Sequence, residues 1–513
     1  LTPTLIPEDY ATTSSMSNAE FKTKSGWVIH KWIGSLTNVS FFTSTTDASD
    51  FLRTRQMFNF YHMSSGTKDD YVGKQNGKGL WWIASLGDKS KDFRFGENAL
   101  WSDKKTMFDP CPVGYRVPTV TEMYDAYTNM GAHTGKAYYS IKNSAGQFYK
   151  REGDKCYLLA GYPWFQADAR TTFFSVASCT LDIDRPEYWD AIINKTAIPE
   201  VLDFMNGRME GIKMTGMDEP DVLLWFIRAI QKFAHKYSLR EAADLYGQLC
   251  ADIITYYRKQ NHPRALLHRN GLIWVDGIKR PATWMNATEN GWPINPRTGY
   301  VVEINALWYN AMLFTAEMLR EMGKETSADL MEYQANIAKD AFVKTFWNGV
   351  YLYDFVINDY ADKEVRPNMI WAVGLPFSPL DKRQQKAVVD ICTKELLTPR
   401  GLRSLSPKSG HYRPMYYGNQ VERDRSLHNG VVWPSTIAAY SRAYMQVYKH
   451  SGVAFMERAL IGYEQEMSEL CIGTLNEFYD GNPPYKGHGG MSAASSVASV
   501  ISILDTLKKY NNE

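Results

Sequence analysis

The chain lacks an excess of charge of either sign: 57 basic residues face 56 acidic ones, a net charge of +1. No polyelectrolyte field is therefore present to hold nucleic acid or an anionic membrane surface, and a neutral partner fits better. Cysteine is sparse. Cys111, Cys156, Cys179, Cys250, Cys392 and Cys471 are scattered with no C-x-x-C pair and no Cys/His spacing suited to zinc, which argues against a metal site. Cys250, Cys392 and Cys471 fall in helix-like patterns and read as small buried hydrophobes, whereas Cys111 and Cys156 could pair if the first region is exported. Apolar runs stop short of membrane-spanning length, which argues against insertion into a bilayer. The start, Leu1-Thr-Pro-Thr, has neither an initiator Met nor a signal peptide, so the chain reads as a processed or truncated product. No motif recurs at a fixed period of about 34–47 residues, against an open α-solenoid.

What the chain has in quantity is aromatic surface. Aromatics make up 14% of its 513 residues, with 15 Trp and 32 Tyr, and flat rings stack against the C–H faces of neutral sugars. Most such rings fill cores, and only those beside polar clusters are ligand candidates. The text also changes character along its length. Residues 1–159 are Ser/Thr/Gly-rich with short apolar bursts, such as Trp27 to Ile33 and Leu80 to Ala84, and predict a β-rich accessory region. Residues 160–513 carry long amphipathic segments. Asp221 to Tyr237 places Leu223, Phe226, Ile230, Phe233 and Tyr237 on one stripe, with Pro220 at the first helical position, and Glu241 to Lys259 repeats the pattern through Leu245, Leu249, Ile253 and Tyr256. Further helices are expected over Pro186–Met205, Ile304–Met322 before Gly323, Ala328–Phe346 after Ser327, Leu380–Leu397 after Ser378-Pro379, Pro434–Lys449, Val453–Leu470 and Met491–Leu507. Close to a dozen helices in adjacent pairs predict a mainly α fold, an (α/α)6 toroid of helical hairpins whose loops build a site at one mouth.

Polar-aromatic clusters sit between these helices: Ala160 to Phe173, Thr283 to Trp292 with Pro296 to Trp308, Arg366-Pro-Asn368, Thr398 to Ser406, and Arg423 to Pro434. Arg and Asn there would bond sugar hydroxyls while an indole covers the ring face. A last cluster, Leu475-Asn-Glu-Phe-Tyr-Asp-Gly-Asn-Pro-Pro484, mounts Glu477 on an aromatic turn locked by Gly481 and Pro483-Pro484, a fixed position suited to a base beside a water molecule.

In order and spacing these motifs resemble the C-terminal amylo-α-1,6-glucosidase domain of glycogen debranching enzymes. The matching segments are Ala160-Gly-Tyr-Pro-Trp-Phe, Thr283-Trp-Met, Pro296-Arg, Val302-Glu-Ile-Asn-Ala-Leu-Trp-Tyr-Asn310, Arg366-Pro-Asn, Gly401-Leu-Arg-Ser-Leu-Ser, His428-Asn-Gly-Val-Val-Trp-Pro434 and Asn476 to Pro484, within residues 160–507. The resemblance implies a six-hairpin toroid that hydrolyses an α-1,6-linked glucose of an α-glucan or oligosaccharide with inversion, without metal or organic cofactor. Such chemistry needs an acid and a base carboxyl about 6.5–9.5 Å apart. Glu477 matches the family's base. At the family's acid position this chain holds Asn286, whose amide gives up no proton, and Thr171 replaces the Asp expected after Arg170. Asp168 stands near the usual place of an aromatic. Three readings follow: Glu289 or Glu303 substitutes as acid, with Glu289 preferred because an acid in a first helical turn, as at Glu303, is held ionised by the helix dipole; Asn286 binds sugar in a domain that no longer cuts it; or the acid lies elsewhere. The expected substrate contacts are Trp164, Arg170, Asp221, Trp284, Arg297, Glu303, Trp308, Arg403, His428 and Trp433, with Trp292 as a further stacking ring. Trp308 is as well suited to the core, Arg403 to tying loops through carbonyls, and His428 to a structural hydrogen bond.

The first region contains Phe108-Asp-Pro-Cys-Pro-Val-Gly-Tyr-Arg-Val-Pro-Thr-Val-Thr-Glu122, which resembles a signature of Bacteroidetes cell-surface domains. That resemblance implies export to the periplasm or cell surface, whereas the debranching domain implies a cytoplasmic enzyme.

Overall fold

The computed structural model describes residues 141–142, 144–467 and 473–512, together with three short strands upstream. Those strands, β1 (Ile6–Pro7), β2 (Trp27–Trp32) and β3 (Val39–Phe42), pair antiparallel in the order β1-β2-β3. The burst at Leu80 to Ala84, the signature around Cys111, and Cys471 lie outside the described residues. Packing of the backbone divides the chain into two units, residues 1–139 with 468–472 and residues 140–467 with 473–513. The hairpin of β4 (Tyr149–Glu152) and β5 (Lys155–Leu158) thus belongs with the helices, and the backbone N–H of Cys156 donates to Thr196 Oγ1 at 3.0 Å. Cys156 is a buried free thiol, and its conditional partner Cys111 lies outside the described residues.

The second unit is mainly α with small sheets. Its helices are α1 (Ala169–Thr180), α2 (Pro186–Trp189, Asp190–Ala197 and Ile198–Met205 in succession, the middle stretch π-helical), α3 (Val222–Lys236), α4 (Leu239–Arg258), α5 (Val302–Glu321), α6 (Glu325–Phe346), α7 (Trp371–Gly374), α8 (Lys382–Glu395), α9 (Gln420–Ser426), α10 (Ile437–Tyr448), α11 (Val453–Glu466) and α12 (Ala494–Asn512). Packing separates them into two sets. Helices α1, α3, α5, α7, α10 and α12 each touch the next, and α12 touches α1, while α2, α4, α6, α8 and α11 lie against this inner set. The difference is visible in burial. Helix α3 is buried from Val222 to Gln231, including Arg228 and Gln231, whereas α4 buries Ala242, Ala243, Tyr246, Cys250, Ile253, Ile254 and Tyr257 and exposes the opposite face. Two residues placed on apolar stripes consequently face solvent, Tyr237 and Leu245, because α3 frays past Lys236 and the stripe of α4 is rotated by one position.

Local signals set several helix starts. Ser238 caps α4 by accepting from the Glu241 N–H, and Asp381 and Gln384 form a capping box on α8, so that helix begins after Asp381 rather than after Ser378-Pro379. Helix α6 starts two residues ahead of Ser327, Pro220 precedes α3 instead of opening it, and α12 begins only after β19 (Ser492–Ala493). Gly323, at φ 71°, closes α5 as expected.

Short strands deliver the chain to the inner helices. β6 (Gly161–Tyr162) pairs with β19, joining the first loop to the start of α12. A five-stranded antiparallel sheet of β7 (Ala265–Leu267), β8 (Ile273–Val275), β11 (Gly299–Val301), β12 (Phe355–Ile357) and β13 (Tyr360–Ala361), ordered β13-β12-β11-β8-β7, leads into α5. Between its strands lies the hairpin β9 (Thr288–Glu289) and β10 (Trp292–Pro293). A second sheet, in sequential order, comprises β14 (Leu397–Thr398), β15 (Gly401–Arg403), β16 (Val432–Trp433), β17 (Phe478–Tyr479) and β18 (Gly487–His488), with β16 running into the 3₁₀ turn Pro434–Thr436 and α10. No described helix is long and apolar enough to cross a membrane.

Inner helices pack closely where small residues meet. A Cβ at Gly374 on α7 would stand 2.3 Å from the Ala439 carbonyl on α10, which is backbone and cannot yield cheaply. Gly374→Ala is expected to destabilise the helical unit by about 1–3 kcal/mol, read as a lower urea midpoint; an unchanged midpoint would mean that α7 and α10 can separate.

Candidate active site

Inner-helix starts converge on one cavity of about 340 Å³. Asp168, Arg170 and Thr171 reach it from α1, Asp221 and Trp225 from α3, Glu303 from α5, Trp371 from α7, Ser435 and Thr436 from the turn before α10, and Ser495 from α12. Loops add Trp284, Asn286, Trp433 and Glu477. Helix N-termini carry partial positive charge, so this mouth favours carboxylates and polarised hydroxyls.

Glu477 is held from behind by a pair of glycines. Its backbone N–H donates to the Gly490 carbonyl at 2.9 Å, and its Oε2 accepts from the Gly490 N–H at 2.9 Å. Gly489 sits at φ 71°, and a Cβ there would lie 2.3 Å from Oε2. Only glycine lets the chain pass this close behind the carboxylate. Burial raises the Glu477 pKa above the ordinary glutamate value, the Gly490 N–H opposes that rise, and the charge of Asp168 adds to it.

Asp168 caps α1, accepting from the Thr171 N–H at 2.8 Å, and burial raises its pKa also, against the lowering hydrogen bonds from Thr171. Arg170 beside it is fully engaged. It forks onto Asp221, with Nε to Oδ2 at 2.9 Å and Nη2 to Oδ1 at 2.7 Å, while Trp225 Nε1 donates to Asp221 Oδ2 at 3.0 Å.

The opposite wall rests on Arg297, whose side chain is only 3% exposed. This guanidinium donates to both carboxylate oxygens of Glu303, to Asp354 Oδ2 at 2.6 Å and Oδ1 at 2.9 Å, and to Thr283 Oγ1 at 3.2 Å. Asp354 in turn accepts from Asn368 Nδ2 at 2.7 Å, and Asn368 Oδ1 accepts from Trp284 Nε1 at 2.8 Å. Trp284 therefore presents its ring to the cavity with its polar atom fixed. His428 supports the same wall: its Nε2 accepts from the Asn286 N–H at 3.2 Å, and its ring stacks on Trp433 at 5.2 Å and meets Trp284 edge-on. Burial, with Arg366 and Arg297 nearby, pushes the His428 pKa down to about 3, so the imidazole stays neutral.

Of the residues singled out from sequence, the cavity brings together Glu477, Asn286, Arg170, Asp221, Trp284, Glu303 and Trp433. The others have different partners. Glu289 forms a two-pronged pair with Arg425, 2.7 Å on each side, and does not line the cavity, because hairpin β9–β10 turns it toward α9. Trp164 is 59% exposed and Phe165 lines the cavity in its stead; Trp292 on β10 is equally exposed. Trp308 is core, its Nε1 bonded to the Gly271 carbonyl at 3.0 Å. Arg403 ties loops by donating to the Gly481 carbonyl at 2.8 Å, and Arg297 and His428 act behind the wall. Sequence reasoning did not single out Asp354, Trp371 or the role of Asp168. Gly489-Gly490 left a visible trace, a glycine pair twelve and thirteen residues past Glu477.

Helical fold, convergent polar-aromatic mouth and carboxylate-bearing walls are what a glycoside hydrolase-like domain requires, and a family match supports that class. Residues 142–502 match the family model described as amylo-alpha-1,6-glucosidase, and the chain belongs to that family. Among solved structures, a sialidase matches with a TM-score of 0.56 at 16% identity, over 75% of this chain and 35% of that one, which is a likeness of fold. The chain thus spans about a third of the length of that protein. No curated protein matches.

Two outcomes follow. Arg297→Met leaves Glu303 and Asp354 buried without their cation and is expected to cost about 3–5 kcal/mol in urea unfolding, with Arg297→Lys recovering only part of it; a loss under about 1 kcal/mol would show that the wall does not rest on this residue. Glu477 has a folded pKa above its unfolded one, so its contribution is complete below the unfolded pKa and is lost as pH rises through the folded value. Glu477→Gln escapes that loss, and its melting temperature relative to wild type should climb from about pH 4 to pH 7; a pH-independent difference would contradict the raised pKa.

Proposed function

We propose that this domain is a debranching-type glycoside hydrolase that releases α-1,6-linked glucose from α-glucan or oligosaccharide ends with inversion, Glu477 activating water and Asp168 protonating the leaving oxygen. One observation carries the pairing. Of the four carboxylates lining the cavity, Asp221 is paired with Arg170 and Glu303 with Arg297, whereas Asp168 and Glu477 have no ion-pair partner among the described residues. Burial raises the pKa of both, as it does that of Glu303, but only for this pair does one carboxyl act on the other without an arginine between them: Asp168 is among the charges that raise Glu477. Two carboxyls in one cavity that resist joint ionisation can hold one proton between them, as acid and base chemistry requires. Glu477 takes the role of base by its match to the family motif. Asp168 replaces Glu289 as the acid, since Glu289 is spent on Arg425.

In this reading the closed succession of inner helices is the inner barrel of an (α/α)6 toroid, and the accessory region ends before residue 160. Arg170 with Asp221, and Glu303, would accept and donate to sugar hydroxyls, while Trp284 and Trp433 offer ring faces. A second reading, a binding domain that does not cut, is favoured by Asn286, which stands in the cavity where the family's acid is expected.

Glucose release from an α-1,6-branched limit dextrin separates these. Glu477→Gln and Asp168→Asn should each lose about 10²–10⁴-fold. Asparagine caps helices as well as aspartate, so Asp168→Asn should fold. On α-glucosyl fluoride, whose leaving group needs no proton, Asp168→Asn should retain activity within about tenfold of wild type while Glu477→Gln stays inactive. Unchanged dextrin hydrolysis by Asp168→Asn would remove Asp168 as the acid, and a gain on Asn286→Asp would show that wild type works without the acid the family places at position 286. Dextrin binding without release by wild type would establish the binding domain, and absence of both would remove the glucan assignment.

A further inference from the structure

Phe174 and Trp225 line the active-site cavity and also a second, much smaller one, set deeper among the inner helices. Its volume of about 10 Å³ accommodates one particle of water size. Around it stand Ser178 of α1, Arg228 and Lys232 of α3, Arg442 of α10 and Ser502 of α12.

Three cationic side chains share this space, and their ordinary partners do not account for their charge. Arg228 is 5% exposed; it donates from Nη1 to Gln231 Oε1 at 3.3 Å, and its buried Nε has no hydrogen-bond partner among the described residues. Arg442 donates to neutral acceptors, the Gly374 carbonyl at 3.1 Å and Ser502 Oγ at 3.0 Å, with its guanidinium 6.0 Å from the centre of the Trp371 ring. Lys232 Nζ donates to Ser178 Oγ at 2.9 Å, and that hydroxyl donates to Asp182 Oδ2 at 2.9 Å, so Asp182 reaches Lys232 only through a serine. The other carboxylate within electrostatic range, Asp505, is taken by Lys509 at 2.9 Å. His235, one turn past Lys232, is pushed down to about 4 by burial and by Arg228 and stays neutral. Crowding of like charge away from water is expensive: burial, relieved in part by Asp182, brings Lys232 down to about 7 and Arg442 to about 10.

We propose that this cavity is a binding site for one small inorganic anion of halide size, held by the free Nε–H of Arg228 beside Arg442 and Lys232. A bound anion supplies the negative charge that the surrounding side chains lack and accepts from the orphaned donor, which a neutral water does less well. Tetrahedral and carboxylate anions exceed a space that fits a single water. Four inner helices contribute to the site, so the anion would tie α1, α3, α10 and α12 together beneath the aromatic residues of the active-site mouth.

The test uses the full chain at constant ionic strength in sodium gluconate, titrated with sodium chloride while the melting temperature is read. A saturating rise of about 3–5 °C is expected, reproduced by bromide and not by sulfate. Arg228→Gln should flatten the response; Arg442→Gln serves should the first variant fail to fold. Crystals of the wild type grown in bromide should show an anomalous peak within hydrogen-bond reach of Arg228 Nε. A response identical for all sodium salts, a saturating one retained by both variants, or no bromide peak at Arg228 would overturn the proposal.

Discussion

The buried guanidinium of Arg297 is the constraint on which the site's architecture hangs. It joins four separate stretches of chain: its own loop before β11, Thr283 in the loop that carries Trp284 and Asn286, Glu303 at the start of α5, and Asp354 after α6. Through Asp354 and Asn368 it also fixes the indole N–H of Trp284. Desolvating three charged groups costs about as much as their mutual attraction returns, so such a cluster is a weak source of net stability. Its effect is positional. A planar fork bonded on both edges leaves the flanking loops little freedom, which is what a wall that must present an indole face and a carboxylate at fixed places requires.

Convergence of helix starts has a related consequence. Each inner helix brings partial positive charge to the mouth, and carboxylates of the site, Asp168 and Glu303, sit on or next to those starts. Dipole and backbone N–H groups hold such carboxylates ionised, while burial raises their pKa. For Asp168, Glu477 and Glu303 alike burial prevails in direction, and a backbone hydrogen bond to Asp168 and to Glu477 keeps each of those carboxyls oriented. Glu303 differs in its pairing, since Arg297 covers both of its oxygens and opposes the rise. Charge pairing thus divides four similar side chains into two held by arginine and two without an ion-pair partner among the described residues, the division on which the proposed roles rest.

Much of this was readable in the chain. Helix pairing followed from apolar periodicity, and of the loops named from their polar-aromatic composition those at 160–173, 283–308, 423–434 and 475–484 reach the cavity, whereas Arg366-Pro-Asn368 and Thr398 to Ser406 do not line it. Phase within helices was harder: Leu245 and Tyr237 match the spacing of a buried stripe, yet the outer position of α4 and the end of α3 turn them to solvent. Roles within loops were hardest. Arg297, Arg403 and Trp308 have the composition of ligand contacts, and only three-dimensional neighbours reveal that they bond Glu303, a backbone carbonyl and Gly271 instead. Asp168 was noticed as a departure from a motif, but its relation to Glu477 spans more than three hundred residues and depends on β6 pairing with β19, a contact of two residues that no local pattern announces.

Trp225 links two levels of the inner set of helices. Its indole N–H fixes Asp221, which fixes Arg170, while its ring meets those of Phe174 and Trp371 edge-on at 5.4 Å and 4.8 Å. Edge-to-face packing of this kind resists sliding, because each ring's positive edge is set against a neighbour's negative face. The same three rings face the carboxylate-lined cavity, and two of them also border the cationic one. An aromatic layer between opposite charges keeps the local dielectric low, so it strengthens both fields at once. Raised carboxyl pKa values at the mouth and lowered cation pKa values deeper among the inner helices are then two results of one kind of cause, burial away from water.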